Sequence, residues 1–298
     1  MIAGLHIEPT NLCTLKCAGC ARTRFIEQWP QHWHNYNLDI DLVLKFLDID
    51  LTGLPIILCG NYGDPIYHPD FIDFVTKLKK RGAYLQITTN GSYNTVGWWE
   101  ELTTLLDTND TITFSIDGTP ENFLQYRVNA DWASIRLAMG VCVKSQCNTV
   151  WKYIPFRFNQ DTIDAARFLS QTIGIDEFKI HPSNRFDEQT KNLLPDIKYI
   201  RNTYQPQLEW KSSRSVTGID PLCKTNQEHF ITADGYYSPC CRVADYRFYY
   251  KTQFGKDKKF YCIQNTTLTT LLMQPKVINF YNKLEEQPGC QYNCPKIS

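Results

Sequence analysis

The segment Leu5-His6-Ile7-Glu8-Pro9-Thr10-Asn11-Leu12-Cys13-Thr14-Leu15-Lys16-Cys17-Ala18-Gly19-Cys20 decides how this chain folds. A short apolar strand runs almost directly into three cysteines spaced Cys-x3-Cys-x2-Cys. The cysteines therefore sit on a loop at the C-terminal end of the first strand, the edge where parallel β/α sheets place their chemistry. Three thiolates can hold three irons of a four-iron cube and leave the fourth iron open, and an open position separates a reactive metal site from a structural one. A single zinc ion is the other reading of such a cluster. It needs a fourth ligand, and none of His6, His32 or His34 has an evident claim to that place.

Downstream, strand-like and helix-like patterns alternate. Strands are expected at 5–8, 55–59, 84–88, 111–117, 150–158 and 177–181, and helices near 38–48, 69–81, 95–107, 131–145 and 160–173. Six β-α repeats imply parallel strands joined by right-handed crossovers. A closed eight-unit barrel needs more chain than this. The expected fold is α/β, a partial (β/α)6 barrel over 1–185, with a helical bridge over 186–220 and a small cysteine-rich α+β module over 221–298. Helix potential in the bridge lies around 189–202. In the last segment, Ala233-Asp234-Gly235 supplies turn chemistry for a hairpin.

Composition narrows the class. The 298 residues carry 31 basic and 31 acidic side chains, so no basic excess points to nucleic acid or a membrane surface. With 43% hydrophobic and 21% charged residues, the chain has the makings of a sizeable core. No apolar run reaches the roughly 20 residues of a membrane helix, and no secretory signal precedes the first strand. A cytoplasmic address is the expectation. Twelve cysteines then do not read as a disulfide scaffold; three lie within eight residues near the start and six beyond residue 220.

The cysteine loop after strand one resembles that of the radical S-adenosylmethionine (SAM) enzymes. That resemblance implies a [4Fe-4S] cluster held by Cys13, Cys17 and Cys20, with SAM on the open iron. Reductive cleavage of SAM gives a 5′-deoxyadenosyl radical that abstracts hydrogen from a substrate. It also assigns supporting residues. Cys59-Gly60-Asn61-Tyr62-Gly63-Asp64-Pro65 resembles the Gly-Gly-Glu-Pro motif that binds the SAM ammonium group, with Asp64 where Glu is commoner. Thr88-Thr89-Asn90-Gly91 resembles the end of the third strand. Ser115 and Asp117 share a face of strand four. Ser115 resembles the serine near the SAM carboxylate or ribose, and Arg127 the arginine that pairs with that carboxylate. A solvated surface charge is the other reading of Arg127. Asn159 stands where a polar residue meets the ribose. Gly19 is a departure, since an aromatic residue often precedes the third cysteine; adenine contact is then expected from elsewhere, such as backbone around Ala21. His6, Glu8, Lys179 and His181 read first as hydrogen-bonded polar groups of the barrel.

Cys223, Gly235 and Cys240 form a Cys-x11-Gly-x4-Cys pattern that resembles the opening of SPASM and twitch domains. The resemblance implies one auxiliary [4Fe-4S] cluster on Cys223, Cys240, Cys290 and Cys294, with Cys241 as an alternative to Cys240. Four thiolates would also hold zinc. Cys262 is a candidate ligand or hydrogen-donor thiol. The implied substrates are a peptide (epimerised or cross-linked) or a small molecule such as an alcohol to be oxidised. A flavodoxin- or ferredoxin-type protein is the implied electron donor. No peptide-binding module is expected ahead of a barrel that begins at residue 5. The competing class is a non-catalytic zinc- or cluster-binding protein on a degenerate barrel.

Overall fold

In a computed structural model, residues 2–183, 186, 188–200, 218–225, 228–287, 290–291 and 294 are described. Six strands alternate with helices: β1 (Gly4–Ile7), β2 (Pro55–Leu58), β3 (Tyr84–Thr89), β4 (Thr111–Ser115), β5 (Asn148–Tyr153) and β6 (Glu177–Ile180). The helices are α1 (Ala21–Gln28), α2 (Ile40–Phe46), α3 (Phe71–Lys80), α4 (Val96–Thr104), α5 (Trp132–Cys142) and α6 (Ile163–Ile173). Two further strands follow, β7 (Glu228–Ile231) and β8 (Tyr237–Ser238). The strand order β6-β5-β4-β3-β2-β1-β7-β8 has two ends, so the sheet is open, as the α/β partial-barrel reading requires. Polar caps start several helices: Asp39, Thr95 and Asp131 accept from Leu42, Trp98 and Ser134 backbone N–H groups. Gly174, at φ +96°, closes α6 in the left-handed region.

The chain divides into two compact units. One comprises 1–12, 34–84 and 213–298; the other comprises 13–33 and 85–212. In the first unit β1 lies between β2 and β7, parallel to both, with Leu5 opposite Ile56 and His229. β7 returns through a turn at Gly235 (φ +80°) to pair antiparallel with β8, the hairpin that Ala-Asp-Gly announces. Leu5, Ile7, Ile56 and Leu58 are fully buried. Phe254, Tyr261 and Phe280 form an aromatic nucleus farther along the same unit, with ring centroids 4.5 and 4.9 Å apart around Phe254.

The second unit holds the parallel run β3-β4-β5-β6 after Tyr84. β4 alternates: Ile112, Phe114 and Ile116 are buried, whereas Thr113 and Ser115 are half-buried. The fifth strand ends at Tyr153, short of the expected 158, because Pro155 cannot donate to a ladder and Phe156–Asn159 curl into a turn. α1 was not legible; only Thr23 and Phe25 of it are buried, too few for a periodic signal. The helix expected over 189–202 is instead two 3-10 turns, Lys191–Leu193 and Ile197–Tyr199, on either side of Pro195. Residues 201 and 202 of that expectation lie outside the described residues.

Candidate functional site

The cysteine loop belongs to the second unit. Cys17 is buried in an apolar bed of Leu15, Tyr126, Phe156 and Phe186, and Cys13 and Cys20 pack against the same bed. The Cys20 N–H donates to the Cys17 carbonyl at 3.0 Å, and the Cys20 carbonyl accepts from Arg24 at 3.1 Å to start α1. Burial pushes the Cys17 thiol up to about 12, with the Cys20 sulfur adding to the rise; the charge of the Arg127 guanidinium opposes it. Asn90 Nδ2 donates to Cys13 Sγ at 3.5 Å, while its Oδ1 accepts from the Ser92 N–H at 2.8 Å. Three sulfurs on one apolar bed, one receiving an N–H donor and one under the influence of a guanidinium charge, suit an anionic iron–sulfur cluster.

Arg127 is not the solvated charge of the alternative reading. Its side chain is 15% exposed, and its Nε lies 2.7 Å from Oδ2 of Asp117, which has no exposure at all. The second Asp117 oxygen accepts from the Ile154 N–H at 2.8 Å. Both Asp117 oxygens thus accept from the chain's own donors. Asn159 likewise bonds to its own backbone neighbours. It is fully buried, its Oδ1 accepts from the Phe156 N–H at 2.6 Å, and its Nδ2 donates to the Ile154 carbonyl at 3.1 Å. Both side chains fasten the turn after β5. Ser115 remains half-buried at the end of β4. At Gly19 an added Cβ would meet the Tyr126 hydroxyl at 2.9 Å, so the space beside this glycine is taken by an aromatic side chain from the segment after β4. Tyr126 gave no sequence signal because its partner is remote in the chain.

The loop after β2 belongs to the first unit. Glu8 Oε1 accepts from the Tyr62 N–H at 2.8 Å and the Gly63 N–H at 3.3 Å. Burial raises the Glu8 carboxyl to about 7, against the lowering effect of those N–H groups. A Cβ at Gly60 would lie 2.9 Å from Glu8 Cγ, and one at Gly63 would lie 2.6 Å from the Thr10 carbonyl carbon, so neither position has room for a side chain. The Asp64 N–H donates to the Leu12 carbonyl at 2.9 Å, and its carboxylate accepts from the Ile66 N–H at 3.3 Å. The Tyr62 hydroxyl accepts from the Tyr246 N–H at 2.8 Å, and Asn61 Nδ2 donates to the Cys241 carbonyl at 2.6 Å. His6 Nε2 lies 2.9 Å from the Cys59 carbonyl, and burial lowers its pKa to about 4, which leaves the ring neutral at pH 7.

The structure brings the four auxiliary cysteines within one electrostatic neighbourhood. Burial pushes Cys223 up to about 12, and Cys240 and Cys294 raise it further; Cys290, also at about 12, feels Cys240, Cys223 and Cys294 after burial. Cys240 Sγ accepts from the Val243 N–H at 3.4 Å, and Cys294 Sγ accepts from Arg242 Nη1 at 3.8 Å. These donors again suit a thiolate-held cluster. Cys241 instead offers its carbonyl to Asn61. Cys262 pairs with Tyr236 in an isolated bridge beside the hairpin turn. Among the described residues no three His, Cys, Asp or Glu side chains are arranged to hold a single metal ion; a four-iron cube takes one thiolate per iron, a different demand. No helix among the described residues is long and apolar enough to cross a membrane.

An α/β fold with a cysteine loop after its first strand defines the class, and comparison with known proteins gives the family. The Radical SAM superfamily model matches residues 7–168, more than half of the chain, and the chain belongs to that superfamily. A tungsten-containing aldehyde ferredoxin oxidoreductase cofactor-modifying protein of Pyrococcus furiosus is 38% identical over 121 residues, 39% of this chain and 31% of the relative. The match therefore spans about a third of that relative's length. Among solved structures, BtrN in complex with AdoMet and 2-DOIA is similar over 100% of this chain and 94% of its own, at 14% identity and TM-score 0.53. Streptococcus suis SuiB bound to precursor peptide SuiA is similar over 95% of this chain and 67% of its own, at 11% identity and TM-score 0.64. These two likenesses concern the fold.

Proposed function

We propose that this chain is a radical SAM enzyme with one auxiliary iron–sulfur cluster, acting on a peptide or a small molecule. The observation that carries the proposal is the setting of Cys13, Cys17 and Cys20: one shared apolar bed, with Asn90 donating to Cys13 and the Arg127 charge acting on Cys17. When bound, the cluster supplies the electron that cleaves SAM and so makes hydrogen abstraction available.

Every other task falls to the chain. Gly60, Tyr62, Gly63 and Asp64 present main chain and one carboxylate to the SAM ammonium group. Ser115 faces the carboxylate or ribose. Arg127 balances charge at Cys17 while Asp117 holds it in place, and Asn90 orients Cys13. Buried Leu15, Phe156 and Phe186 keep water from the sulfurs. Cys223, Cys240, Cys290 and Cys294 hold the auxiliary cluster, which suits electron transfer to or from a substrate. A flavodoxin- or ferredoxin-type protein is the assigned electron donor. Peptide epimerisation, peptide cross-linking and alcohol oxidation all fit this apparatus. Cys262 is the candidate thiol donor for the first of these, and a Cys262→Ala variant with full epimerising turnover would remove it.

The test is anaerobic purification with iron and sulfide assays, followed by dithionite-driven turnover. About eight irons per chain and formation of 5′-deoxyadenosine from SAM are expected. Stoichiometric zinc without SAM cleavage would instead support the non-catalytic binding protein.

A further inference from the structure

Glu8 stands out among the buried titratable groups because the chemistry described so far gives it no task. It sits just past β1, is 1% exposed, and pairs with no cation among the contacts described. One of its oxygens is instead aimed at main-chain N–H groups of the loop after β2. Tyr62 and Gly63 both donate to Oε1 from that loop. The Glu8 N–H itself donates to the Ile231 carbonyl at 2.9 Å, which fixes the backbone from which the carboxylate reaches.

The fit of the loop to this carboxylate is close on both sides. Gly60 leaves space that the Glu8 side chain occupies, since a Cβ there would come within 3.0 Å of Glu8 Cδ and closer still to Oε1. Gly63 lets the loop settle on the Thr10–Asn11 backbone, where a Cβ would come 2.7 Å from Asn11 Cα. The Asp64 N–H then reaches the Leu12 carbonyl at 2.9 Å. The Asn61 and Tyr62 side chains tie this loop to Cys241 and Tyr246, but the direction of its main-chain amides is set by their own acceptor. Aimed at one buried carboxylate, they hold the loop in a single conformation.

We propose that Glu8 is a positioning residue for the SAM-binding loop, gathering the Tyr62 and Gly63 amides so that the loop's carbonyls and Asp64 stand ready for the ammonium group. The inference rests on the assignment of Gly60–Asp64 to SAM. Glu8 touches no reacting atom in this role. Its effect is on the affinity for SAM rather than on the rate of the chemistry that follows binding.

The test uses the full chain, reconstituted anaerobically, as wild type, Glu8→Ala, Glu8→Leu and Glu8→Gln. Alanine removes the acceptor, leucine removes it at similar bulk, and glutamine keeps one oxygen where Tyr62 and Gly63 donate, which makes it the conservative rescue. Iron content and melting temperature report folding. Hydrogen exchange at the 61–64 amides reports the loop, and calorimetric titration with SAM in the absence of reductant reports binding. For Glu8→Ala the expected result is retained iron, exchange at the Tyr62 and Gly63 amides faster by about tenfold, and a SAM Kd weaker by about tenfold. KM for SAM should follow the Kd, with kcat for 5′-deoxyadenosine formation within about twofold of wild type. Glu8→Gln should recover most of the loss; if Glu8→Ala does not fold, Glu8→Leu decides. Unchanged exchange and SAM affinity in the variant without an acceptor, beside a wild type that binds SAM, would overturn this inference alone. A wild type that holds iron but binds no SAM would overturn the functional reading and this inference with it.

Discussion

Replacing Gly63 by alanine tests how tightly the loop after β2 is seated. Gly63 is not among the glycines with positive φ, so the effect is steric and can be worked from distances. The new Cβ would stand 2.6 Å from the Thr10 carbonyl carbon and 2.7 Å from Asn11 Cα, where ordinary carbon contacts begin near ~3.5 Å. Something must therefore move by about 0.9 Å. The Thr10–Asn11 backbone is poorly placed to yield: Thr10 Oγ1 donates to the Tyr36 carbonyl at 3.0 Å and to Asn37 Oδ1 at 2.7 Å, and the Asn11 N–H donates to Tyr36. The loop moves instead. The Gly63–Glu8 bond, already 3.3 Å, is lost, and the Asp64–Leu12 bond is strained. Overpacking at about 1–3 kcal/mol and one buried N–H left without its acceptor at about 1–3 kcal/mol give a destabilisation of roughly 2–6 kcal/mol. The melting temperature should fall by roughly 5–15 °C, and the SAM Kd should rise at least about tenfold. Differential scanning calorimetry and SAM titration read both. Gly97→Ala in α4, where a Cβ meets nothing within 4 Å, is the control and should be neutral or stabilising by up to about 1 kcal/mol. A Gly63→Ala protein that melts with the wild type and binds SAM equally well would refute the steric argument.

Three further outcomes are expected. Because the Glu8 carboxyl is raised from 4.5 to about 7 in the folded protein, its contribution to stability is complete below pH 4.5 and is lost as pH rises through 7. The loss should approach about 3 kcal/mol, read as a urea midpoint difference between wild type and Glu8→Gln that shrinks from pH 5 to pH 8; a pH-independent difference would count against it. Arg127→Met leaves Asp117 charged and buried and should destabilise by about 3–5 kcal/mol in chemical denaturation, whereas Arg127→Met combined with Asp117→Asn should recover part of that loss. Cys240→Ala should lose about four irons per chain while Cys241→Ala loses none, measured as iron per chain after anaerobic reconstitution.

The fold was legible where alternation and punctuation were strong. β4 reads directly because Ile112, Phe114 and Ile116 alternate with polar residues, and the hairpin because Ala-Asp-Gly sits between apolar runs. The cysteine loop was legible because its spacing and its place after a strand are local. Contacts between residues remote in the chain were not. Nothing in the sequence says that Arg127 is claimed by Asp117, that Tyr126 stands against Gly19, or that Asn159 turns inward to Phe156 and Ile154. A side chain's partners depend on packing, and an Asp or Asn at a strand end serves a ligand or its own backbone with equal local propensity. Glu8 shows the same limit: its place just ahead of the cysteines in sequence is plain, but its bonds to Tyr62 and Gly63 come from a segment more than fifty residues away. α1 carries no periodic signal because so little of it is buried, and Pro195 breaks the helical pattern over 189–202 into two 3-10 turns.

The most direct measurement is low-temperature electron paramagnetic resonance of anaerobically reconstituted, dithionite-reduced protein, with and without SAM, in a variant lacking the auxiliary thiols. One reduced [4Fe-4S] signal that shifts on adding SAM, and that vanishes when Cys13, Cys17 and Cys20 are replaced by alanine, is the result expected here. A protein with no paramagnetic centre at those thiols, or with a signal that SAM leaves unchanged, would contradict it.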